Sequence, residues 1–153
     1  MNDSSKEWNA LERFHESIND SNPLKKEGVK AFLELSNFAK KQGLKVHTNP
    51  SFYVRFISNM HYDWLNKANK LFKIISTIPN YEPRIKRFFN NENIFESLAT
   101  LYEIEMALKF KMQGFEVSFI EEKSTEKTPD MEIKLTDKVF NLEVTSLHNP
   151  DEN

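Results

Sequence analysis

The apolar residues of the chain change their spacing at Gly114, and this change limits the folds that the chain can adopt. Before Gly114 they recur every three or four positions, which is the spacing of amphipathic helices. After Gly114 they alternate with polar residues, which is the spacing of strands with one buried face. A helical segment followed by a strand-forming segment predicts an α+β fold.

Residues 1–90 are predicted to form a helical region. Apolar side chains at helical spacing predict three helices, and a Pro or Gly signal ends each of them. A short basic turn is predicted after Pro83, from Arg84 to Phe89. The three predicted helices run from Lys6 to Asp20, from Leu24 to Gln42 and from Tyr53 to Ile78.

Residues 91–153 are predicted to form one helix and a three-stranded sheet. Asn93 is a suitable N-cap, because Glu96 follows it three residues later, and Gly114 is a suitable stop after Gln113. Three alternating stretches follow, separated by a charged loop at 121–128 and a tight turn at 136–138. The predicted strands contain the apolar residues Phe115, Val117 and Phe119, then Met131, Ile133 and Leu135, then Phe140, Leu142 and Val144.

Composition excludes several kinds of site. The chain has no cysteine, so it has no disulfide, thiolate metal site or cysteine nucleophile. Its four histidines, at 15, 47, 61 and 148, lack the spacing of metal ligands, so any metal would be bound by oxygen. The polar amino terminus and the lack of an apolar run of about 18 residues predict a soluble, cytoplasmic protein without a membrane partner.

Charge is distributed unevenly. Residues 1–90 contain 15 Lys and Arg against 9 Asp and Glu, a net of +6, whereas residues 91–153 contain 6 against 14, a net of −8. Basic residues near Trp64 and Phe88 predict contact with a phosphate backbone, although the same pattern suits the solvated side of a helix. The candidate nucleic-acid-binding residues are Lys67, Lys70, Lys73, Arg84, Lys86 and Arg87.

Asp130 and Glu143 are the candidate centre of a chemical site. If the second and third strands pair through the tight turn, their polar faces coincide and these two carboxylates lie side by side. Such a pair suits Mg²⁺, which accepts one or two carboxylates and keeps several waters. Pro129-Asp130 as ordinary turn chemistry, and Glu143 on a solvated strand face, are the alternative explanations.

These residues, in this order, resemble the PD-(D/E)XK, or restriction-endonuclease-like, nuclease superfamily. The resemblance runs from Glu103 in a helix through Gly114, Pro129-Asp130 and Leu142-Glu143-Val144-Thr145, about a third of the chain. It implies that Asp130, Glu143 and the backbone carbonyl of Val144 bind Mg²⁺ or Mn²⁺. It also implies a supporting role for the helix acid, for which Glu103 is preferred and Glu105 is the second choice.

The sequence departs from the family pattern in two respects. Thr145 stands where the family has a lysine that holds the scissile phosphate, and threonine cannot supply its charge. Lys134, on the same strand face as Asp130, is the candidate replacement. The family core also continues into a further helix and strand, whereas this sequence ends eight residues after Thr145, which indicates an excerpt or an incomplete core.

Two functions follow from this pattern. The first is a metal-dependent nuclease that hydrolyses phosphodiesters, with DNA favoured over RNA as the substrate, and with catalytic roles for Glu103, Asp130, Glu143, Thr145 and Lys134. The second is a catalytically inactive nuclease fold that binds nucleic acid or protein. Catalysis requires a cation within reach of Asp130 and Glu143, whereas a binding module does not.

Overall fold

A computed structural model of the chain describes residues 23–41, 62–90 and 93–145. These residues form a mixed α+β structure of four helices and one antiparallel three-stranded sheet, which confirms the predicted fold class. In chain order the elements are α1 (Pro23–Lys41), α2 (Tyr62–Ile75), α3 (Glu82–Asn90), α4 (Ile94–Met112), β1 (Glu116–Phe119), β2 (Met131–Leu135) and β3 (Lys138–Leu142).

The predicted helices agree with the structure to different extents. Helix α1 confirms the second predicted helix to within a residue at each end. Helix α2 confirms part of the third, but it ends at Ile75, and a turn at 76–80 precedes α3. Asn80 has a positive φ of 63° in that turn, a conformation that asparagine tolerates better than most residues. The first predicted helix, Lys6 to Asp20, lies outside the described residues.

Helix α3 corrects the prediction of a basic turn between Arg84 and Phe89. The segment is helical because Ile85, Phe88 and Phe89 recur at helical spacing and are all buried. Phe88 and Phe89 each pack edge-to-face on Phe72 of α2, with ring centroids 5.2 and 6.2 Å away. Three basic residues in this short segment make its apolar face hard to recognise in the sequence.

The termini of α4 are those that the sequence predicts. The side chain of Asn93 accepts a hydrogen bond from the backbone N–H of Phe95 at 3.0 Å, as an N-cap does. The helix ends at Met112, and Gly114 has a φ of +94°. This left-handed conformation is one that glycine adopts without the steric cost of a Cβ atom, so Gly114 turns the chain into β1.

The sheet has the order β1-β2-β3, and each strand is antiparallel to its neighbour. Val117 pairs with Ile133, and Ile133 pairs with Phe140, so the apolar residues of the three strands share one face as predicted. Thr136 and Asp137 form the turn between β2 and β3. The helices lie against this face, and Val117 and Ile133 are buried.

Strand β3 differs from its prediction in burial. The pattern predicts that its apolar side faces the core, but the side chain of Phe140 is 48% exposed, whereas its partner Ile133 is 5% exposed. Val139 is 53% exposed on the opposite face. The cause is position, because the buried core lies under β1 and β2 and does not extend under β3.

One hydrophobic core joins α1, α2, α3 and α4 to the sheet. Leu35 and Phe72 belong to the same buried cluster as Leu101 and Phe119, so the core crosses the boundary that the sequence predicts at residue 90. Within the described residues, no helix combines the length and the apolar character needed to cross a membrane.

Candidate active site

Asp130 is fixed at the start of β2 by two contacts with the end of β3. Its backbone N–H donates to the carbonyl of Leu142 at 2.9 Å, and its carboxylate accepts the backbone N–H of Val144 at 2.6 Å. These two partners flank Glu143 in the chain. The structure therefore brings Asp130 and Glu143 to the same end of the β2–β3 hairpin, as the alternating pattern predicts.

The two carboxylates differ in their surroundings. Asp130 is half-buried, and one of its oxygens is held by the backbone of Val144. Glu143 has an exposed side chain that pairs with Nζ of Lys127 at 2.7 Å. Asp130 is thus held in place by the fold, while Glu143 faces solvent beside the exposed side chain of Lys127.

Glu103 lies on α4 and is 6% exposed. Arg87 of α3 donates a hydrogen bond to its carboxylate, and Nε of Arg84 lies 3.4 Å from the same oxygen. Burial raises the pKa of Glu103, and the charge of Asp130 raises it further, while the two arginines oppose both effects. Arg84 also donates to the backbone carbonyl of Asp130, so one side chain links Glu103 to the start of β2.

Glu105, the second choice for the helix acid, faces another part of the molecule. It pairs with Lys67 of α2 at 2.5 Å and with Lys109 at 3.0 Å. Burial raises the pKa of Glu105, but the hydrogen bonds from the two lysines outweigh burial and lower it. Of the two acids, Glu103 is the one that lies toward Asp130.

Arg84 has a role that the sequence did not indicate. It is 1% exposed, and its two terminal nitrogens donate to the carbonyls of Ile120 and Asp130 at 2.9 and 2.8 Å. Its guanidinium also lies over the ring of Phe119, 4.8 Å from the centroid. Arg84 therefore joins α3 to the strand ends that carry the site. Recognition of α3 as a helix would have placed it one turn before the buried Phe88.

The loop between β1 and β2 is held at two points near the acids. Arg87 donates to both Glu122 of this loop and Glu103, and its Nε donates to Thr100 at 2.9 Å. Lys127, nearer the end of the loop, pairs with Glu143. Sequence reasoning missed Lys127 because it lies in a charged loop without periodicity, three residues before Asp130.

A cavity of about 400 Å³ lies beside this loop. Two arginines and two glutamates line it, so its charges balance and it does not select an anion by charge. The lining residues are Pro83, Arg84, Arg87, Glu121 and Glu122.

The structure does not bring Lys134 to the acids. Lys134 pairs across the sheet with Glu116 and Val139, toward the turn end of the hairpin. Lys134 lies four positions from Asp130 along the chain, a distance of about 13 Å in a strand. The prediction that Lys134 replaces the family lysine at this site is therefore not supported by the geometry. Thr145 is exposed and follows the Val144 that contacts Asp130.

The predicted basic face is not a continuous open surface. Arg84 is buried, which corrects its assignment as a phosphate contact, and Arg87 pairs with acids. Lys67 pairs with Glu105 and lies over the rings of Trp64 and Tyr102, at 5.3 and 5.9 Å from their centroids. The remaining candidates have exposed side chains, and they are Lys70, Lys73 and Lys86.

The end of the β2–β3 hairpin carries two acidic side chains. Within residues 23–41, 62–90 and 93–145, no group of three or more His, Cys, Asp or Glu side chains is placed to hold a metal ion. Mg²⁺ commonly binds through one or two carboxylates and keeps its remaining waters. Asp130 and Glu143 are the two carboxylates at this end, and the backbone of Val144 contacts Asp130. All four histidines lie outside the described residues.

Comparison of the chain with protein-family models, with curated proteins and with solved structures found no match.

Proposed function

We propose that the chain is a metal-dependent nuclease of the cytoplasm, built on a restriction-endonuclease-like core, and that it hydrolyses phosphodiester bonds in DNA. The observation that carries this proposal is the position of Asp130, which is tied by hydrogen bonds to both neighbours of Glu143. A helix followed by three antiparallel strands, with Arg84 contacting both Glu103 of the helix and the carbonyl of Asp130, adds support.

Asp130, Glu143 and the carbonyl of Val144 would hold Mg²⁺ or Mn²⁺. The ion would supply Lewis-acid chemistry, because it polarises a phosphate and makes a bound water more acidic. The protein contributes by keeping Asp130 in one rotamer through the N–H of Val144. Arg84 contributes indirectly, since it holds the carbonyl of Asp130 and balances the buried charge of Glu103.

The proposed reaction is a hydrolysis in which water attacks phosphorus. A bond forms between the water oxygen and phosphorus, and the bond between phosphorus and one sugar oxygen breaks. The proton lost by the water ends on the sugar oxygen that departs. Glu143, exposed at the hairpin end, is the carboxylate that a phosphate from solvent would approach most closely.

The exposed lysines provide a surface for the nucleic-acid backbone. Lys70, Lys73 and Lys86 extend into solvent, although Lys73 also lies 3.6 Å from Glu34. Contacts of this kind are independent of sequence and weaken as salt rises, because binding releases counterions from the phosphates. We therefore expect DNA binding to be weak and salt-dependent.

Plasmid and oligonucleotide cleavage tests the proposed function. Wild-type protein should cut DNA slowly with Mg²⁺ or Mn²⁺, and Asp130→Ala should remove the activity. Glu132→Ala is the matched control, because Glu132 is an exposed acid two residues along the same strand. Cleavage that persists in Asp130→Ala would reject the site. Absence of metal-dependent cleavage by the wild type would reject the function.

A second function is supported by a specific observation. Glu143 already has a cationic partner in Lys127, and Thr145 supplies no charge, as expected of a nuclease fold that binds nucleic acid or protein without cutting. In that case the protein would bind DNA or a protein partner equally well with and without divalent metal. The cleavage assay separates the two functions.

A further inference from the structure

The acidic side chains at the hairpin end would repel an anionic substrate. Asp130 and Glu143 are both acidic, and a phosphodiester adds another negative charge, so its approach requires a cation. A metal ion at the two carboxylates supplies part of that charge. In metal-assisted phosphoryl chemistry, a positive side chain commonly supplies the rest.

The arginines near the site are committed to other partners. The terminal nitrogens of Arg84 donate to two backbone carbonyls, and its side chain is buried. Arg87 donates to Glu103, Glu122 and Thr100. Moving either arginine to a substrate would leave Glu103 with less compensation for its burial.

Lys127 has the properties that the two arginines lack. Its side chain is 81% exposed, and its Nζ lies 2.7 Å from a carboxylate oxygen of Glu143. An exposed pair of this kind is weak, so the ammonium group can exchange partners at low cost. The flexible lysine stem allows it to move from Glu143 to a phosphate bound at the same place.

We propose that Lys127, from the loop between β1 and β2, supplies the positive charge that contacts the scissile phosphate at the Asp130–Glu143 site. This inference rests on the proposed nuclease function. In the free protein Lys127 pairs with Glu143. With Mg²⁺ or Mn²⁺ held by the two carboxylates, Lys127 would lose its partner Glu143, and its ammonium group would be available to the substrate.

The test is a set of six proteins measured for two properties. The proteins are the wild type, Lys127→Ala, Lys127→Arg, Lys123→Ala, Lys134→Ala and Asp130→Ala. Lys123 is the matched control, because it is an exposed lysine in the same loop that pairs with Glu126 at 2.9 Å. The properties are the single-turnover rate of oligonucleotide cleavage at saturating Mn²⁺, and the affinity for Mn²⁺ alone, measured by calorimetry.

We expect Lys127→Ala to cleave on the order of 10²-fold more slowly than the wild type, because a positioned charge is lost. Lys127→Arg should recover part of the rate, and Lys123→Ala should cleave normally. We expect the affinity of Lys127→Ala for Mn²⁺ to rise about two- to fivefold, because a competing cation has been removed from Glu143.

Three results would overturn the inference. A normal rate in Lys127→Ala, with activity that still requires Asp130, would reject the role of Lys127 and leave the proposed nuclease function standing. Loss of activity in Lys134→Ala instead would assign the charge to the neighbouring strand. Absence of metal-dependent cleavage by the wild type would reject the nuclease function and the role of Lys127 together.

Discussion

Arg84 illustrates how one buried side chain can hold a site together without touching a substrate. It spans from α3 to the backbone at both ends of the β1–β2 loop, at Ile120 and Asp130. A sequence shows that an arginine is present, but not whether it points outward. Its burial could be anticipated only from the helical spacing of Ile85 and Phe88, which the surrounding positive charges obscured.

Arg84→Lys should therefore destabilise the fold. Lysine keeps the positive charge, but it lacks the planar guanidinium that donates to two carbonyls at once. One buried carbonyl would therefore lose its donor. We expect the free energy of unfolding to fall by about 2 kcal/mol, measured by urea denaturation. Lys86→Ala, an exposed change on the same helix, should stay within about 0.5 kcal/mol of the wild type. Equal stability of wild type and Arg84→Lys would show that these hydrogen bonds do not contribute.

Glu103 predicts a pH dependence of stability. Burial raises its pKa above the value in the unfolded chain, so the folded protein binds this proton more tightly than the unfolded chain does. Ionisation of Glu103 therefore lowers the free energy of unfolding as the pH rises from about 4 towards 7. Glu103→Gln removes this contribution.

Urea denaturation of wild type and Glu103→Gln across that pH range measures the effect. We expect the stability of the wild type relative to the variant to decrease as the pH rises. An increase over the same range would mean that Arg87 and Arg84 lower the pKa of Glu103 more than burial raises it. Glu96→Gln, an exposed change on the same helix, controls for the loss of one carboxylate from α4.

At the scale of single elements, the boundaries with a local chemical cause were predictable. Asn93 and Gly114 mark the two ends of α4 because a side-chain acceptor and a left-handed glycine act within a few residues. The exposure of β3 was not predictable in this way. Phe140 lies on the apolar face of β3, as a core residue would. Its burial depends on whether another element packs over β3, and the alternation of apolar and polar residues carries no information about that.

The turn between β2 and β3 contains a strained residue. Thr136 is β-branched and has a positive φ of 55°, a conformation that costs roughly 1–2 kcal/mol for a residue with a Cβ atom. Thr136→Gly should raise the free energy of unfolding by about 0.5–1 kcal/mol, since glycine removes this strain at a smaller entropic cost.

Thermal or urea unfolding measures this change. Thr128→Gly is the control, because Thr128 lies in the loop before β2 and is not among the described residues with positive φ. Thr128→Gly should lower the free energy of unfolding, because the glycine raises the conformational entropy of the unfolded chain and relieves no strain in the folded protein. A loss of stability in Thr136→Gly as well would indicate that the hydrogen bond from the Thr136 hydroxyl to the carbonyl of Leu135 outweighs the strain.

At the scale of the whole molecule, the pairing of the two acids was predictable and its surroundings were not. Alternation on β2 and β3 predicts Asp130 and Glu143 on one strand face, and both lie at the same end of the hairpin. The partners Arg84, Arg87 and Lys127 come from other elements, and their contacts depend on how α3 and the β1–β2 loop pack. Packing between distant elements leaves no periodic signal in a sequence, so Lys134 was chosen instead of Lys127.

We propose that Asp130 and Glu143 act as one cation site, and Mn²⁺ calorimetry is the direct test of this proposal. We expect one weak site in the wild type, lost in both Asp130→Ala and Glu143→Ala. Glu132→Ala should retain it, because Glu132 is an exposed acid of the same strand that pairs with Asn141. Mn²⁺ affinity that is equal in the wild type and in Asp130→Ala would contradict the claim.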